Sequence, residues 1–233
     1  KIRGTSILSN LAAKYNALFT NNGNKLELAL GYVTLYGDVN GALSPIADLT
    51  KSEVFDLARY LNIHVFKREV IPWSVIPDEL YRFKKDQIQP SAELEENQID
   101  PMKFGYHDAL LMMMTDYKKK SAEDIMRFYI EGRLDREIEK ALHKEKGFGY
   151  QLMQRWGVET SKTFVEDLEW FFRVVQRGVF KRVQGPPVTD TSKSSFGYDI
   201  RESILPYEST LGEDELKKEI LTTNRRYTPM RIA

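Results

Sequence analysis

In a chain of 233 residues the 34 basic and 34 acidic side chains cancel, so no global field steers it toward nucleic acid or an anionic membrane. Apolar residues make up 42% and charged residues 29%, enough for a sizeable core in one large or two small domains of roughly 100–200 residues and against disorder throughout. The absence of cysteine excludes disulfides, thiolate metal sites and thiol nucleophiles and fits a cytoplasmic protein; no apolar run approaches the roughly 20 residues that span a bilayer, and the charged start Lys1-Ile2-Arg3-Gly4 lacks a signal-peptide core.

In chain order, residues 5–18 place Ile7, Leu8, Leu11, Ala12, Tyr15 and Leu18 at helical spacing with Ser6, Asn10 and Lys14 opposite, which predicts an amphipathic helix. The apolar run Ala17-Leu18-Phe19 reads as a strand ending in a polar turn, Asn21-Asn22-Gly23-Asn24. A short helix is expected over 26–32, with Glu27 in its first turn. After the turn-rich stretch 39–45, Thr50 and Glu53 make a capping box that starts a helix reaching Leu61, with Val54, Leu57, Ala58 and Leu61 as its expected buried stripe. Lys51 lies in that first turn, where free amides and the helix dipole favour an anion, so a phosphate would meet both the helix end and an ammonium; a solvated lysine is the ordinary alternative. Residues 70–101 read as a long irregular loop, broken by Pro72, Pro77, Pro90 and Pro101, of the kind that orders over a substrate.

From Asp100 onward the pattern is helical. Residues 104–117 carry Leu110, Leu111 and Met112-Met113-Met114 as pliable core or interface. Ser121 caps a helix holding Ile125, Phe128 and Tyr129 that ends at Gly132; 134–146 puts Leu134, Ile138, Ala141 and Leu142 on one face; 161–178 does the same with Phe164, Leu168, Phe171, Phe172 and Val175. Lys118-Lys119-Lys120 has no aromatic interleaving and reads as a solvated turn, not a nucleic-acid patch. His64, His107 and His143 are scattered, which speaks against a zinc site or a His-centred triad. Glu27 and Asp38 are candidates for a hard, oxygen-seeking ion, although Tyr36-Gly37-Asp38 reads equally well as a structural turn. The tail after residue 187 is polar, with a short helix near 213–221.

The stretch Asn21-Asn22-Gly23-Asn24-Lys25-Leu26-Glu27-Leu28-Ala29-Leu30-Gly31-Tyr32-Val33-Thr34-Leu35-Tyr36-Gly37-Asp38 resembles the Asn-Thr-Ser-Asn-Lys-Ser-Glu-(apolar)-Ala-x-Gly-Tyr-x-Thr-x-Tyr-Gly-Asp signature of NAD synthetases. These enzymes use ATP to amidate nicotinic acid adenine dinucleotide (deamido-NAD) to NAD. Asn22 stands for the signature's Thr and Gly23 for its Ser. Lys1-Ile2-Arg3-Gly4 is similar to the family's Ala-Arg-x-Arg-Gly, with Lys1 in place of an Arg; Pro90-Ser91-Ala92-Glu93-Leu94 is similar to its Pro-(Ser/Thr)-Ala-(Glu/Asp)-Leu; and Phe180-Lys181-Arg182 before Pro186-Pro187 is similar to its (His/Phe)-Lys-Arg ending.

The resemblance implies an α/β fold, an adenine-nucleotide alpha-hydrolase-like doubly wound parallel sheet, partial in this chain, with appended helices. Residues 1–100 would be the C-terminal part of the ATP-pyrophosphatase-type α/β core, 101–187 a helical extension completing the synthetase domain and 188–233 a tail of unassigned role. It further implies that Asn22, Lys51 and Ser91 contact ATP, that Lys1, Glu27, Tyr32, Val33, Thr34, Leu35, Phe180 and Lys181 contact deamido-NAD, and that Glu27 helps hold Mg2+; no catalytic residue is assigned. The expected chemistry is adenylation of the acceptor carboxylate with loss of pyrophosphate, then displacement of AMP by ammonia, either free or from an upstream glutaminase domain. A homodimer is expected, with the acceptor near its seam and no nucleic acid or membrane partner. The family's Ser-Gly-Gly-x-Asp-Ser phosphate loop is not found in these residues. The chain is therefore expected to be part of a longer synthetase and not to form NAD by itself. The alternative is a nucleotide-binding or regulatory module without catalysis.

Overall fold

Reciprocal caps set the helix starts. A computed structural model describes residues 1–91, 100–116, 119–196, 200 and 205–230. In it α1 spans Ser9–Tyr15 behind a π-helical stretch, Ile2–Leu8; α2 spans Lys25–Ala29; and α3 spans Lys51–Tyr60 and runs on into a π-helical turn, Leu61–Val65. The second half contributes α4 (Tyr106–Thr115), α5 (Ala122–Ile130), α6 (Leu134–Leu142), α7 (Phe148–Trp156), α8 (Ser161–Arg177), α9 (Val179–Arg182) and α10 (Leu211–Thr223). Asn24, Thr50 and Ser121 each accept the amide three residues on, while Glu27, Glu53 and Asp124 reach back to the capping residue's own amide.

The main core lies between α4, α5, α6, α7 and α8. Helix α4 is buried nearly all round, as its run of apolar residues requires, and its methionines Met112 and Met113 are core. Phe164 of α8 stacks on Tyr129 of α5 with ring centroids 4.0 Å apart, and Leu216 and Ile220 of α10 close the same core. Behind α10 the chain returns to it: the Tyr227 hydroxyl donates to Asp135 Oδ1 at 2.6 Å, and the Tyr227 amide donates to the Glu159 carbonyl. Helix α7 has no counterpart in the sequence reading, because Gly147, Gly149 and Gly157 punctuate a segment whose helical period is short. Among the described residues no helix is long and apolar enough to cross a membrane.

A second, smaller core gathers Leu28, Val33, Val39 and Ala47, with Leu35 and Val188 against it. Beside it run three extended segments in parallel register, bridged at Thr20 to Leu43 and at Ser44 to Val188. The Ala42 amide donates to Phe19 O, that of Asn21 to Leu43 O, that of Ser44 to Pro187 O and that of Thr189 to Ser44 O. The expected doubly wound sheet is thus not what the described residues form. They contain isolated bridges, the antiparallel Thr160–Arg226 pair among them, and no continuous strand; here each segment leaves the ladder after two or three residues, at Asn22-Gly23, at Pro45 and after Thr189. Of the residues set apart in the sequence as the start of a tail, Val188 and Thr189 join this ladder, and Thr191 and Ser192 donate to Asp48.

Two expected apolar stripes are left largely uncovered. The N-terminal helix forms, but Ile7, Leu8, Leu11, Tyr15 and Leu18 are all exposed; it meets the rest of the chain at Gly4 against Gly37 and at Ser9, whose hydroxyl accepts from Asn40. Helix α3 buries Ser52, Phe55 and Ala58 and leaves Leu57 41% exposed. Its expected core stripe, Val54, Leu57, Ala58 and Leu61, instead walls an open groove of about 410 Å³, completed by Ile71, Val75, Ile76 and the 88–90 segment. The 70–91 loop opposite is anchored by Tyr81, fully buried in a left-handed conformation between the rings of Phe55 and Phe148.

Candidate functional site

The polar turn between the first ladder segment and α2 is where the motif residues meet. Asn21 is buried; its Oδ1 takes the Gly23 amide at 2.9 Å and its Nδ2 donates to the Asp38 carbonyl, so the 21–24 and 34–38 turns are tied together. Asn22 is exposed, with its Oδ1 accepting from the Thr20 hydroxyl. Glu27 uses one oxygen for the capping box, taking the Asn24 amide at 3.1 Å, and the other for the Lys51 ammonium, also at 3.1 Å. Both partners of that pair are largely shielded, with side chains 20% and 16% exposed. Asp38 caps its own turn by accepting the Thr34 amide, the structural role that its motif allowed.

Lys51 departs from the expectation in one respect. The amides of Lys51 and Ser52, which a bound phosphate was expected to meet, donate instead to the two oxygens of Asp108 at 3.0 and 3.2 Å, and the Glu53 amide is taken by Thr50 Oγ1. The anion at this helix end is therefore the protein's own carboxylate. Asp108 is completely buried, and burial pushes its pKa up to about 6 despite the stabilising amides of Gly105, Lys51 and Ser52. What Lys51 has left for a ligand is its side chain, whose ammonium lies 5.6 and 5.8 Å from the ring centres of Phe55 and Phe104 and at the wall of the α3 groove. Pro90 lines the same groove, and Ser91 follows it directly. The rest of the matching element, Ala92-Glu93-Leu94, lies outside the described residues.

Of the residues assigned to the acceptor, Glu27 lies at the N-terminal end of α2, while 32–35, Phe180 and Lys181 lie at the other end. Lys181 Nζ donates to the carbonyls of Gly31 and Val33, both at 2.8 Å, and Arg182 reaches the carbonyls of Leu28, Ala29 and Val175. Two cations from α9 thus cap the carbonyl end of α2, which places them where the helix dipole favours them. This approach needs glycine on both sides: Gly31 sits at φ 60°, and a Cβ there would lie 2.8 Å from the Gly178 Cα. Phe180 is 52% exposed and Thr34 is exposed, while Tyr32 and Leu35 are partly buried. Val33 belongs to the small core and its carbonyl is occupied, so its side chain is turned away from solvent. Lys1 is exposed, and its carbonyl accepts from the Thr5 amide.

The sequence reading passed over a buried ammonium in the region. Lys25, 1% exposed, sits at the first position of α2 with its ammonium 3.2 Å from Asp48, 2.9 Å from Asp116, and 2.8 Å from both Ser192 Oγ and the Ser194 carbonyl. Burial raises the pKa of Asp48, but the Thr191 and Ser192 amides, Lys25 and the Ser192 hydroxyl outweigh it and hold the carboxyl below its usual range. A signal was present. A lysine at a helix N-terminus faces the positive end of the dipole, a poor position unless carboxylates compensate it. Among the described residues no group of three or more His, Cys, Asp or Glu side chains could hold a metal on its own. Glu27 offers one carboxylate, which suits a magnesium ion only where phosphates supply the other ligands.

Comparison with known proteins bears on these residues. The family model for NAD synthase matches residues 1–147. The chain is similar to the glutamine-dependent NAD(+) synthetase of Xanthomonas campestris pv. campestris, 31% identical over 200 residues that cover 85% of this chain and 28% of that protein. It is also similar to the NH(3)-dependent NAD(+) synthetase of Wolinella succinogenes, 41% identical over 99 residues that cover 42% of this chain and 32% of that protein. In fold it resembles the crystal structure of a glutamine-dependent NAD(+) synthetase from Cytophaga hutchinsonii, with a TM-score of 0.53 at 14% identity over 94% of this chain and 28% of that one. The chain spans less than a third of the length of each of these relatives. With the family matched over more than half its length, and the motif residues Glu27 and Lys51 in contact, the chain belongs to the NAD synthase family.

Proposed function

We propose that this chain works as part of an NAD synthetase, a ligase that amidates deamido-NAD to NAD through an acyl-adenylate with release of pyrophosphate and AMP. The observation that carries the reading is the Glu27–Lys51 contact at 3.1 Å, made across 24 residues of sequence at the carboxyl ends of parallel segments, where ligands of α/β folds bind. In this reading Lys51, Asn22 and Ser91 face ATP. The turn 31–35 with Phe180 and Lys181 faces the acceptor, α2 separating the two groups by its own short length. Magnesium, held by Glu27 together with the nucleotide phosphates, would supply charge neutralisation on the leaving pyrophosphate. The protein's own contribution is positioning. Lys51 presents one ammonium to the phosphates, and Asp108 keeps the start of α3 fixed so that this ammonium stays beside Glu27. Lys181 holds the 31–35 turn through two carbonyls and retains a third ammonium proton for the acceptor. Ammonia then attacks the adenylated carbonyl carbon and AMP leaves.

Because the relatives are more than three times as long as the matched region, we take the reaction to need more than these 233 residues. NAD formation from ATP, ammonia and deamido-NAD is expected only when the remainder of the synthetase is supplied; NAD made by the isolated chain would overturn that part. In the complete synthetase Glu27→Gln is expected to lower adenylate formation about 10²-fold, a typical loss for one electrostatic contributor. Unchanged magnesium-dependent pyrophosphate release would remove Glu27 from the site.

A further inference from the structure

We infer that Lys25 is a positioning residue whose buried ammonium, clamped between Asp48 and Asp116, fixes the Glu27–Lys51 pair. Helix α2 has five residues, too few for helix propagation to hold it in place, so Glu27 stands where the anchors of α2 put it. At its C-terminal end those anchors are Lys181 and Arg182. At its N-terminal end Leu26 is buried in the main core, and the polar anchors come from Lys25: its amide donates to the Leu49 carbonyl at 2.8 Å, and its ammonium meets Asp48 at 3.2 Å. Asp48 and Leu49 lead straight into Thr50, the cap of α3, and Lys51 is the first residue of α3. Main chain and side chain of Lys25 therefore fasten the first turn of α2 to the segment that starts α3. The Glu27–Lys51 contact closes between the two fastened ends.

The cost of this arrangement shows that it is specific. An ammonium at 1% exposure has lost its water, and it lies at the positive end of a helix dipole. Two carboxylates, with side-chain exposures of 0% and 15%, and two further oxygens at 2.8 Å compensate it completely. Three of these partners come from segments remote in sequence: Asp116 ends α4, and Ser192 and Ser194 follow the third ladder segment. Ser192 also donates its amide to Asp48, so the stretch 191–194 closes over the same ion pair. Removing the ammonium would leave two carboxylates facing each other and free α2 to shift against α3.

The functional consequence rests on Glu27 and Lys51 being the nucleotide-facing pair, but the test does not. Unfolding constants of the chain with Glu27→Gln, Lys51→Met and both together give the coupling between these residues; Gln keeps the capping-box acceptor while removing the charge. A coupling of about threefold in the unfolding constant is expected in the wild-type background, within the range for partly exposed pairs. In a Lys25→Met background it is expected to vanish. A merely structural lysine would destabilise all four members of the cycle alike and leave the coupling intact, and that result would overturn the inference. Asp116→Asn and Ser192→Ala repeat the cycle with milder losses in case Lys25→Met does not fold: a reduced coupling supports the inference, and an unchanged one in both overturns it. In the complete synthetase Lys25→Met is expected to lower kcat of ATP–pyrophosphate exchange about tenfold or more with KM for ATP changed less than about threefold. A loss confined to KM counts against it. If the wild-type enzyme shows no exchange the functional reading fails, while the coupling cycle still decides the role of Lys25.

Discussion

From α4 to α10 the chain is held by apolar packing: Tyr106, Leu110, Met113, Phe164 and Phe171 are fully buried in one continuous core. The N-terminal region is built otherwise. Its own small core has four buried residues, Leu26, Ala29, Leu30 and Phe55 join the helical core, and its extended segments, short helix and turns are also joined by charges that reach across the chain, Lys25 to Asp48 and Asp116, Lys51 to Glu27, and Lys181 and Arg182 to main-chain carbonyls. Apolar packing is non-directional and tolerant, whereas a buried charge pair fixes distance and angle. The helical half is held mainly by tolerant packing, whereas in the N-terminal half directional charge contacts set the positions of α2 and α3.

The largest blow to the helical side is Phe171→Ala, expected to cost about 3–5 kcal/mol, against about 1.5 kcal/mol for Val39→Ala in the small core. Denaturant titration of both variants checks the contrast; equal losses would erase the distinction between the halves. Gly178→Ala strikes where the halves join. Its new methyl would lie 2.9 Å from the Ala29 carbonyl and 3.0 Å from the Gly31 amide, so α9 must move off α2 at a cost of about 1–3 kcal/mol. If Lys181 serves the acceptor, the same variant in the complete synthetase should raise KM for deamido-NAD more than KM for ATP, measured by initial rates with each substrate varied in turn.

The smallest expected effect sharpens the comparison through pH, at two adjacent residues of α4. Desolvation foremost, and then Lys103, holds buried His107 neutral well below its ordinary value. The unfolded chain therefore takes up a proton below about pH 6.5 that the folded chain refuses, and stability falls there by up to about 1.4 kcal/mol per pH unit. Asp108 works in the opposite sense. Its folded pKa of about 6 lies above the ordinary 3.8, so the folded chain protonates first and stability is gained as pH falls through that window. Urea midpoints at about pH 7.5 and about pH 5.5 should show a smaller acid loss in His107→Asn, whose side-chain oxygen can still accept the Lys103 amide, and a larger one in Asp108→Asn.

Within the site, what could be read from the chain were the residues whose role is local. Glu27 in the first turn of a short helix and Lys51 in the first turn of α3 need only their neighbours, although α2 covers Lys25–Ala29 and not the expected 26–32, and its Asn24–Glu27 capping box went unread. Asp108 on the α3 amides was not legible, because its partners are 56 and 57 residues away. Nor was Lys25, since a buried ammonium and an exposed one look alike until Asp48, Asp116 and Ser192 are brought around it.

By itself the sequence determined the helix starts at Thr50 and Ser121, the aromatic face of α8 and the family signature over 21–38, since each depends on residues within a few turns of one another. Only the tertiary structure decided which apolar faces are covered. The stripes of α1 and α3 have the same period as that of α8, yet one is exposed, one walls a groove and one is core. Periodicity fixes which residues share a face, but burial depends on whether another segment arrives to pack against it. For the same reason the parallel register of 19–21, 42–44 and 187–189 came from long-range pairing, and the charges that lock α2 became visible only when segments more than 150 residues apart had met.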